Sequence, residues 1–569
     1  MSARLLLMSL ACGLSACGCN DDPKKDGHPT DGPTDTTTPT GLTGDTSPVD
    51  TGTDECGLVG ATIASATVLT CPDPGLRSAS HFVHKRAVSR PLAAANVESG
   101  GLAVGDVDGD GRLDLFVANE IQSQLWSNAG DNLWDEVPEP FGGADLSRAV
   151  GGVLVDFDGD GDLDLCVTRY EEPNALLRND GSGGFTEVVD AFTDHTWRTQ
   201  SSSWADVDRD GDLDVYFGSY GPKPDTYTSA EDPADPGELY LNNGDGTFTE
   251  SSHLIHADVH DGYAFTTAFY DIDGDFYPEL FQFNDFGATE GVNRTSRLLQ
   301  NGFAEGQGFL DESPIPGISR AFEDMGIGVA DLNGDALPDF AITSWKKVVL
   351  LESHPTLGWI EAPGKVEVDP TNRNQVYGWG SDFGDIDNDG DLDLAMNFGY
   401  WSTYDGAGDP QVQVDGLWIQ DDAGQFENLA ADPEWGTNDK GMSRGALLAD
   451  VNDDGYLDLL KRQLDDNAPT LQHLSQCGDA TFLRIELEQA GLNRKGIGAV
   501  IEVTRPNGDV QRRWIQAGSA SMYVGHPPEA HFGLGSDEAV DVTVHWPDCT
   551  TSSLEGVPTG QRIVVEKDD

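Results

Sequence analysis

Aspartates in a short pattern that recurs through the middle of the chain are the residues best suited to do chemistry. The first copy reads Asp106-Val-Asp108-Gly-Asp110-Gly-Arg112-Leu-Asp114, which places carboxylates at positions 1, 3, 5 and 9. These carboxylates can converge on one point, position 7 adds its backbone carbonyl, and glycine at position 6 permits a sharp reversal. Six or more oxygens suit calcium better than magnesium, which needs strict octahedral geometry, or zinc, which prefers nitrogen and sulfur. The pattern therefore predicts a calcium-binding loop.

Seven copies of this loop occur, separated by 50, 50, 65, 60, 54 and 65 residues. One copy alone could be an acidic solvated turn, but seven copies in phase with hydrophobic stretches favour metal binding. Without a cation, the carboxylates of one loop would repel each other strongly. The predicted ligands at positions 1, 3, 5, 7 and 9, with position 7 acting through its carbonyl, are Asp106, Asp108, Asp110, Arg112 and Asp114 in loop one; Asp156, Asp158, Asp160, Asp162 and Asp164 in loop two; Asp206, Asp208, Asp210, Asp212 and Asp214 in loop three; Asp271, Asp273, Asp275, Tyr277 and Glu279 in loop four; Asp331, Asn333, Asp335, Leu337 and Asp339 in loop five; Asp385, Asp387, Asp389, Asp391 and Asp393 in loop six; and Asp450, Asn452, Asp454, Tyr456 and Asp458 in loop seven.

Loops four and five depart most from the pattern. Position 6 is Phe276 in loop four and Ala336 in loop five, and a proline precedes the last ligand in both, at Pro278 and Pro338. Loop seven exchanges one carboxylate for the amide of Asn452 and is still expected to bind. We therefore expect up to seven calcium ions, with the fourth and fifth sites the weakest.

The residues that flank the loops alternate in the manner of β-strands. After the first loop, Leu113, Leu115 and Val117 face one side of the pleat, and Asp114 and Phe116 face the other. Strands on both sides exclude an EF-hand, and the twelfth position, Val117, lacks the bidentate glutamate of that motif. The acidic loops therefore join neighbouring strands.

A second element follows most of the loops, as in Leu239-Tyr-Leu-Asn-Asn-Gly-Asp-Gly-Thr-Phe248. Its Asn-Gly and Gly-Asp-Gly pieces have hairpin chemistry, because glycine accepts positive φ without steric cost. Each repeat thus holds two hairpins, or four short strands. Four-stranded units repeated at this spacing predict an all-β fold with a seven-bladed β-propeller whose hairpin loops bind calcium.

The seven loops resemble the FG-GAP or VCBS repeats of integrin α-chain propellers and of many bacterial surface proteins. The resemblance covers roughly residues 80 to 480, and we place the propeller at residues 72–480. It implies an extracellular calcium-binding protein and does not supply a reaction.

The period is lost from Phe482 onwards, where short β-patterned runs predict a small β-sandwich or barrel at residues 481–569. Asn493-Arg-Lys-Gly-Ile-Gly-Ala499, His531-Phe-Gly-Leu-Gly535 and Trp546-Pro547 resemble the ASPIC/UnbV domain shared by the cartilage acidic proteins and UnbV-like bacterial proteins. Typical members continue Trp-Pro-Ser/Asp-Gly. Here Asp548 is followed by Cys549, a departure that could mean a disulfide to Cys477.

The N-terminal residues are typical of a secretory signal peptide. A basic residue, Arg4, precedes the apolar run Leu5–Leu14, which is too short to span a bilayer and fits a signal peptide over residues 1–16. Leu14-Ser-Ala-Cys17 resembles the bacterial lipobox, which implies lipidation at Cys17. An ordinary cleaved signal, or lipidation at Cys12 or Cys19, are the alternatives. Residues 17–60, rich in Thr, Asp, Pro and Gly, would form a disordered linker.

The remaining cysteines are too sparse for a disulfide-built scaffold. In an exported protein Cys56 could pair with Cys71 and Cys477 with Cys549, although sequence does not fix the connectivity. Cys166 lies in an apolar run and is expected to be an inert strand residue.

The overall charge limits the partners. Ninety-nine acidic residues against 33 basic ones give a formal charge of −66, which repels nucleic acids and anionic lipid surfaces. We expect no nucleic-acid partner, membrane contact only through an N-terminal lipid anchor, and a monomer that is exported, as an outer-membrane or cell-surface lipoprotein or as a secreted protein.

No catalytic motif stands out, since the chain has no G-x-S-x-G elbow, P-loop or H-E-x-x-H. We therefore predict a binding or adhesion module for an unidentified protein or glycan, and not an enzyme. The alternative is a propeller enzyme that acts on a glycan or other polymer at the central face, with residues 217–238 and 399–415 forming its cleft. Other candidates, each with a packing or connector role as its alternative, are the ligand-facing aromatics Tyr220, Tyr227, Trp345, Tyr400, Trp401 and Tyr404 and the histidine cluster His253, His256 and His260.

Overall fold

The computed structural model describes residues 56–69, 82–87, 100–130, 132–221, 234–255, 262–285, 288–289, 292–293, 295–320, 322–345, 347–366, 376–399, 413–432, 435, 437, 440–464, 470–475, 478–518 and 520–568. Several features predicted from the sequence lie outside this part of the chain, namely the signal peptide, Cys17, most of the linker, Cys71, Cys477, Tyr227, Tyr400, Trp401, Tyr404, His256 and His260.

Seven four-stranded antiparallel sheets are formed by the repeats in the described residues. The innermost strands of successive sheets pack side by side, and that of the first sheet also lies beside that of the seventh. The sheets are therefore the blades of a closed β-propeller. From the central channel outwards, the strands are Leu102–Gly105, Asp114–Val117, Gln124–Gly130 and Leu133–Glu136 in blade 1; Ala149–Val155, Asp164–Arg169, Ala175–Asn179 and Phe185–Glu187 in blade 2; Thr199–Ala205, Asp214–Ser219, Glu238–Asn242 and Phe248–Glu250 in blade 3; Tyr263–Tyr270, Glu279–Asp285, Arg297–Asn301 and Phe309–Asp311 in blade 4; Asp324–Ala330, Asp339–Ser344, Lys347–His354 and Gly358–Glu361 in blade 5; Gly378–Gly384, Asp393–Phe398, Gly416–Gln420 and Phe426–Asn428 in blade 6; and Ser443–Ala449, Asp458–Gln463, Leu471–Ser475 and Phe82–Ala87 in blade 7.

The ring is closed by a strand from the other end of the chain. Phe82–Ala87 precedes blade 1 in sequence, yet it pairs antiparallel with Leu471–Ser475 as the outermost strand of blade 7. Between blades, buried aliphatic and aromatic side chains form the core, as where Phe116 of blade 1 packs with Leu154 and Leu165 of blade 2. Closure by a distant strand joins both ends of the repeat array and leaves no blade incomplete.

Two more four-stranded sheets form the C-terminal domain. One contains Thr481–Glu488, Glu529–Gly535, Gln561–Lys567 and Ala61–Val68; the other contains Val500–Thr504, Val510–Trp514, Ala539–His545 and Thr551–Pro558. Ala61–Val68, which pairs with Gln561–Lys567, lies outside the range 481–569 that we expected for this domain. Distance along the chain does not predict this pairing, because an edge strand joins a sheet through hydrogen bonds to its neighbour, whatever its place in the sequence.

Both pairings considered from the sequence, Cys56 with Cys71 and Cys477 with Cys549, are wrong. Cys549 is bonded instead to Cys56, with the two Cα atoms 5.0 Å apart and a sequence separation of 493. The bond is possible because Leu58 bridges to Thr551, which brings the N-terminal segment to the edge of the C-terminal domain. Cys56 also lies within the stretch that we expected to be a disordered linker. Cys166 is buried as a free thiol, as expected, and burial raises its pKa to about 12.

Short elements complete the fold. The two-stranded pairs Ala288–Thr289 with Val292–Asn293 and Gln413–Val414 with Lys440–Gly441 extend from the propeller, and Ser252–Leu254 and Phe303–Glu305 are 3₁₀ turns. None of the helices in the described residues has the length and apolar character needed to cross a membrane.

A segment of the C-terminal domain enters the central channel of the propeller. Its strand Ala517–Gly518 pairs with blade 3, its strand Val524–Gly525 pairs with blade 1, and the turn Ala520–Tyr523 lies between them against the innermost strands. Met522 and Tyr523 are fully buried, and the Tyr523 hydroxyl donates to Oε1 of Gln200 at 2.6 Å. We call residues 517–525 the channel segment.

The channel segment is held in a strained conformation. Ser521, Met522 and Tyr523 have φ values of 54°, 49° and 68°, in the left-handed region that costs non-glycine residues about 1–3 kcal/mol each. The channel segment packs closely against the propeller. A Cβ added at Gly151 of blade 2 would lie only 2.9 Å from the Tyr523 carbonyl oxygen, so glycine is needed there. Such strain persists only where the surroundings fix it, so the domain and the propeller are tightly coupled here.

The Tyr523→Ala substitution tests this coupling. Loss of a fully buried aromatic ring leaves a cavity, and we expect the free energy of unfolding to fall by about 3–5 kcal/mol in chemical denaturation. Leu357→Ala is the control, because Leu357 is 55% exposed and its truncation should change stability by less than about 0.5 kcal/mol. Equal effects of the two substitutions would contradict the channel contact.

Candidate metal centres

All seven acidic loops join the innermost strand of a blade to the second strand and share one backbone conformation. Positions 4 and 6 have positive φ in the first loop, 73° at Gly109 and 85° at Gly111. The first carboxylate fixes this turn, because Oδ1 of Asp106 accepts the Gly109 N–H at 2.9 Å and Oδ2 accepts the Gly111 N–H at 2.8 Å. The position-6 N–H donates to the position-1 carboxylate in the other six loops as well.

Loops four and five keep the turn despite lacking the position-6 glycine. Phe276 has φ of 66° and Ala336 has φ of 69° at this position. A left-handed conformation costs an L-residue roughly 1–2 kcal/mol, so these loops fold at a local expense that glycine avoids. The prediction that they bind calcium most weakly is consistent with this strain and stays a prediction.

The last carboxylate of each loop ties the strands of its blade together. Oδ2 of Asp114 accepts the N–H of Val107 at 3.1 Å, and Oδ1 accepts the N–H of Asn128, on the third strand, at 2.8 Å. The corresponding carboxylates have backbone partners as well, and all are buried. The position-9 carboxylate therefore stabilises the blade through backbone hydrogen bonds, whether or not it also binds an ion.

Carboxylates from positions 1, 3 and 5 or 9 converge as the spacing predicts. In five loops, three carboxylates offer ligand oxygens that all lie within 4.8 Å of one another; these groups are Asp106, Asp108 and Asp114; Asp156, Asp158 and Asp164; Asp206, Asp208 and Asp210; Asp271, Asp273 and Glu279; and Asp385, Asp387 and Asp393. Four predicted ligands have a buried side-chain oxygen without a hydrogen-bond partner, namely Oδ1 of Asp158, Oδ1 of Asp208, Oδ1 of Asp212 and Oδ2 of Asp458. Buried carboxylate oxygens without donors fit a hard cation.

Burial also changes the protonation of these groups. Desolvation, with smaller contributions from Asp108 and Asp106, raises the pKa of Asp114 to about 7. Desolvation raises the pKa of Asp164 to about 8, and in loop three desolvation and repulsion from its neighbours raise that of Asp206 to about 7. A divalent cation would stabilise the ionised carboxylates, so ion and proton compete for the loops.

An asparagine on the third strand of blades 1–4 joins neighbouring blades. Nδ2 of Asn179 in blade 2 donates to the carbonyl of Leu163 in its own loop at 2.9 Å and to that of Val107 in loop one at 2.8 Å. Asn128, Asn242 and Asn301 make the same pair of bonds, each reaching position 2 of the preceding loop. Sequence reasoning took this asparagine for turn chemistry alone. Its recurrence three residues after a leucine, as in Leu125-Trp-Ser-Asn128 and Leu176-Leu-Arg-Asn179, was the available signal.

Arginines of the C-terminal domain lie over the acidic loops, which sequence reasoning did not foresee. The fully buried Arg484 bonds Oδ2 of Asp450 at 3.0 Å, Oδ1 of Asp453 at 2.8 Å and Oε2 of Glu529 at 3.0 Å. Arg562 donates to the Gly111 carbonyl at 2.6 Å. The C-terminal domain therefore covers the loop-bearing face of the propeller with positive charge.

The other candidate residues show no comparable cluster in the described part of the chain. Tyr220 is 4% exposed and donates its hydroxyl to Asp285 at 2.8 Å, so its role is packing. Trp345 stacks on Tyr377 with ring centroids 6.0 Å apart, and His253 lies in a 3₁₀ turn.

Two parts of the chain match known families, one within the propeller and one in the C-terminal domain. Residues 106–167 and 156–217 match the FG-GAP-like repeat family, and residues 489–569 match the family described as ASPIC and UnbV. The chain is homologous to cartilage acidic protein 1. It is 24% identical to the Mus musculus protein over 493 residues, covering 79% of this chain and 70% of that protein. It is 27% identical to the Xenopus tropicalis protein over 157 residues, covering 26% of this chain and 24% of that protein.

Solved structures with a similar arrangement are more distant in sequence. BBS1N, crystallised with ARL6DN, matches with a TM-score of 0.41 at 9% identity, covering 71% of this chain and 99% of that chain. PorZ, a surface component of the type-IX secretion system of Porphyromonas gingivalis, matches with a TM-score of 0.40 at 10% identity, covering 83% of this chain and 60% of that chain.

The raised pKa values predict the pH dependence of the metal-free protein. Folded-state pKa values of about 6 for Asp156, about 7 for Asp114 and about 8 for Asp164 lie above that of an unfolded aspartate. Their protonation contributes stability that is complete below the unfolded pKa and is lost as pH rises through the folded values. In excess BAPTA, the melting temperature should therefore fall from about pH 4 to about pH 8. Saturating calcium should remove or reverse this trend, and an unchanged trend would contradict ion binding by these groups.

Proposed function

We propose that the chain is an extracellular calcium-binding β-propeller that acts as a binding module for a protein or glycan ligand. The observation that carries the proposal is the convergence of buried carboxylates in the repeated loops, with ligand oxygens within 4.8 Å of one another. The FG-GAP-like repeats and the similarity to cartilage acidic protein 1 support a binding role and an extracellular location. Calcium is the ion best suited to a flexible set of oxygen ligands.

The role of calcium in this proposal is structural. Each ion would be held by loop carboxylates, neutralise part of their mutual repulsion and fix the turn between the two inner strands of a blade. Extracellular calcium modules bind with dissociation constants on the order of 0.1–1 mM, which matches extracellular calcium concentrations. The blades would therefore be stiff in the extracellular medium and less stable where calcium is scarce.

We place the ligand on the propeller face opposite the acidic loops. The C-terminal domain covers the loop face, and the channel segment fills the centre with Met522 and Tyr523. On the opposite face, Arg148 and Arg198 pair with Glu171, each at 2.7 Å, and both guanidinium groups lie over the ring of Tyr170. Aromatic and charged groups of this kind suit recognition of a polar macromolecule.

The exported location gains support from the disulfide. A Cys56–Cys549 bond persists in oxidising compartments and is uncommon in the cytosol. Lipidation at Cys17 is part of the proposal and lies outside the described residues. Mass spectrometry of the mature N-terminus from a native membrane fraction tests it, because a diacylglyceryl cysteine has a distinct mass.

A ligand screen tests the binding role itself. Immobilised glycans and extracellular proteins would be probed with the intact protein in calcium and in excess BAPTA. A calcium-dependent ligand supports the proposal. Turnover of a probe glycan, with loss of the intact polymer, would instead favour the propeller enzyme.

Chelation should lower the melting temperature of the intact protein by many degrees, because the ions stabilise the folded state and not the unfolded chain. Differential scanning calorimetry in calcium and in BAPTA measures the shift. Asp108→Ala is the single-site variant, and calorimetric titration should show one weakened site and the others unchanged. A melting curve that is the same with and without calcium would contradict the proposal.

A further inference from the structure

Loop five combines a hydroxyl at its centre with a guanidinium on its first carboxylate. In loop four a side-chain amide also reaches the predicted ligands, because Nε2 of Gln300 lies 3.0 Å from Oδ2 of Asp273 and 2.8 Å from Oε1 of Glu279. In the first four blades, the third-strand residue that follows the loop is an asparagine whose amide turns away to the preceding blade. Blade 5 has Ser353 at this position, and its hydroxyl turns into the loop. Oγ of Ser353 lies 2.8 Å from Oδ1 of Asp335 and 2.7 Å from Oδ1 of Asp339.

The amide of Asn333 reaches the same point. Its Oδ1 accepts the N–H of Asp335 at 2.9 Å, which turns Nδ2 towards Ser353 and Asp339. Nδ2 lies 3.0 Å from the Ser353 carbonyl, 3.1 Å from its Oγ and 3.3 Å from Oδ1 of Asp339. A reversed amide would set its oxygen against two other oxygens, so the hydrogen bonds fix this orientation. Predicted ligands at positions 3, 5 and 9 thus meet at one hydroxyl.

Loop seven shows that a serine need not fill the loop. Ser475 is the third-strand residue that follows loop seven, and its hydroxyl turns to the Leu457 carbonyl. Oδ2 of Asp458 there is buried without a donor. The direction of the hydroxyl, and not the residue type, separates the two loops.

A guanidinium supplies the positive charge at loop five, as Arg484 does at Asp450, the first carboxylate of loop seven; of these two loops, only loop five has the inward hydroxyl as well. Nη1 of Arg512, from the C-terminal domain, lies 3.1 Å from Oδ2 of Asp331 and 3.3 Å from the Gly334 carbonyl. The Asp331 side chain is 3% exposed, so this ion pair is largely removed from water. Nε of Arg512 also bonds Glu502 at 2.6 Å, which holds the guanidinium in place.

We propose that loop five does not bind calcium: the Ser353 hydroxyl fills the centre of the loop, and Arg512 pairs with its first carboxylate. Loop five then serves as a contact site that holds the C-terminal domain against the propeller. The chain binds at most six calcium ions. This inference rests on the proposed calcium-binding function and corrects its expected count. It also sharpens the expectation that loop five is a weak site.

Matched substitutions at position 5 test the proposal. Asp110→Asn in loop one and Asp335→Asn in loop five remove the same carboxylate from each loop. Native mass spectrometry at saturating calcium counts the ions bound by the intact protein. We expect at most six in the wild-type protein, one fewer in Asp110→Asn, and no change in Asp335→Asn. Loss of one ion in Asp335→Asn would overturn the proposal. No loss in Asp110→Asn would instead count against the proposed calcium function, so the two failures are distinguishable.

Two further variants keep the test informative if Asp335→Asn fails to fold. Ser353→Ala removes the hydroxyl and leaves every predicted ligand, so its melting temperature should fall by the same amount in calcium and in BAPTA. A larger fall in calcium would show that the hydroxyl serves a bound ion. Arg512→Gln should leave the calcium count unchanged and increase hydrogen exchange at least tenfold in strand Val510–Trp514. Unchanged exchange would remove the docking role.

Discussion

Convergence of buried like charges is the constraint on which the rest of the structure depends. Each blade buries a carboxylate such as Asp114 against backbone N–H groups, and two or three more carboxylates lie close to it. At an effective dielectric near 20, each close pair costs on the order of several kcal/mol. Backbone N–H donors, arginine side chains and, in our proposal, calcium ions offset this repulsion.

The C-terminal domain helps to offset this repulsion and is integral to the fold. Its arginines meet the loops, its channel segment fills the centre of the ring, and the Cys56–Cys549 disulfide ties its edge to the N-terminal segment. One hydrophobic cluster runs from Phe157 and Trp204 of the propeller to Ile485 and Trp546 of this domain. The two parts therefore stabilise each other.

Local sequence patterns predicted most of the fold and of the candidate site. Alternating apolar residues predicted the strands beside each loop, and the spacing of aspartates predicted which oxygens converge. Both depend on short-range geometry, since side chains two residues apart share a face. Predictions that needed distant contacts failed or were never made. Cys549 pairs across 493 residues and not with its expected partner, and the interblade bonds of Asn179 were missed.

The sequence by itself determined the all-β class, the repeating blade and the chemistry of its loops, because each is written within about ten consecutive residues. Tertiary structure alone decided which strand closes the ring, what fills the channel and which loop receives Arg512. These depend on residues hundreds of positions apart being brought to one place. A carboxylate's ligand, whether ion, hydroxyl or guanidinium, is set by that arrangement and not by its own motif.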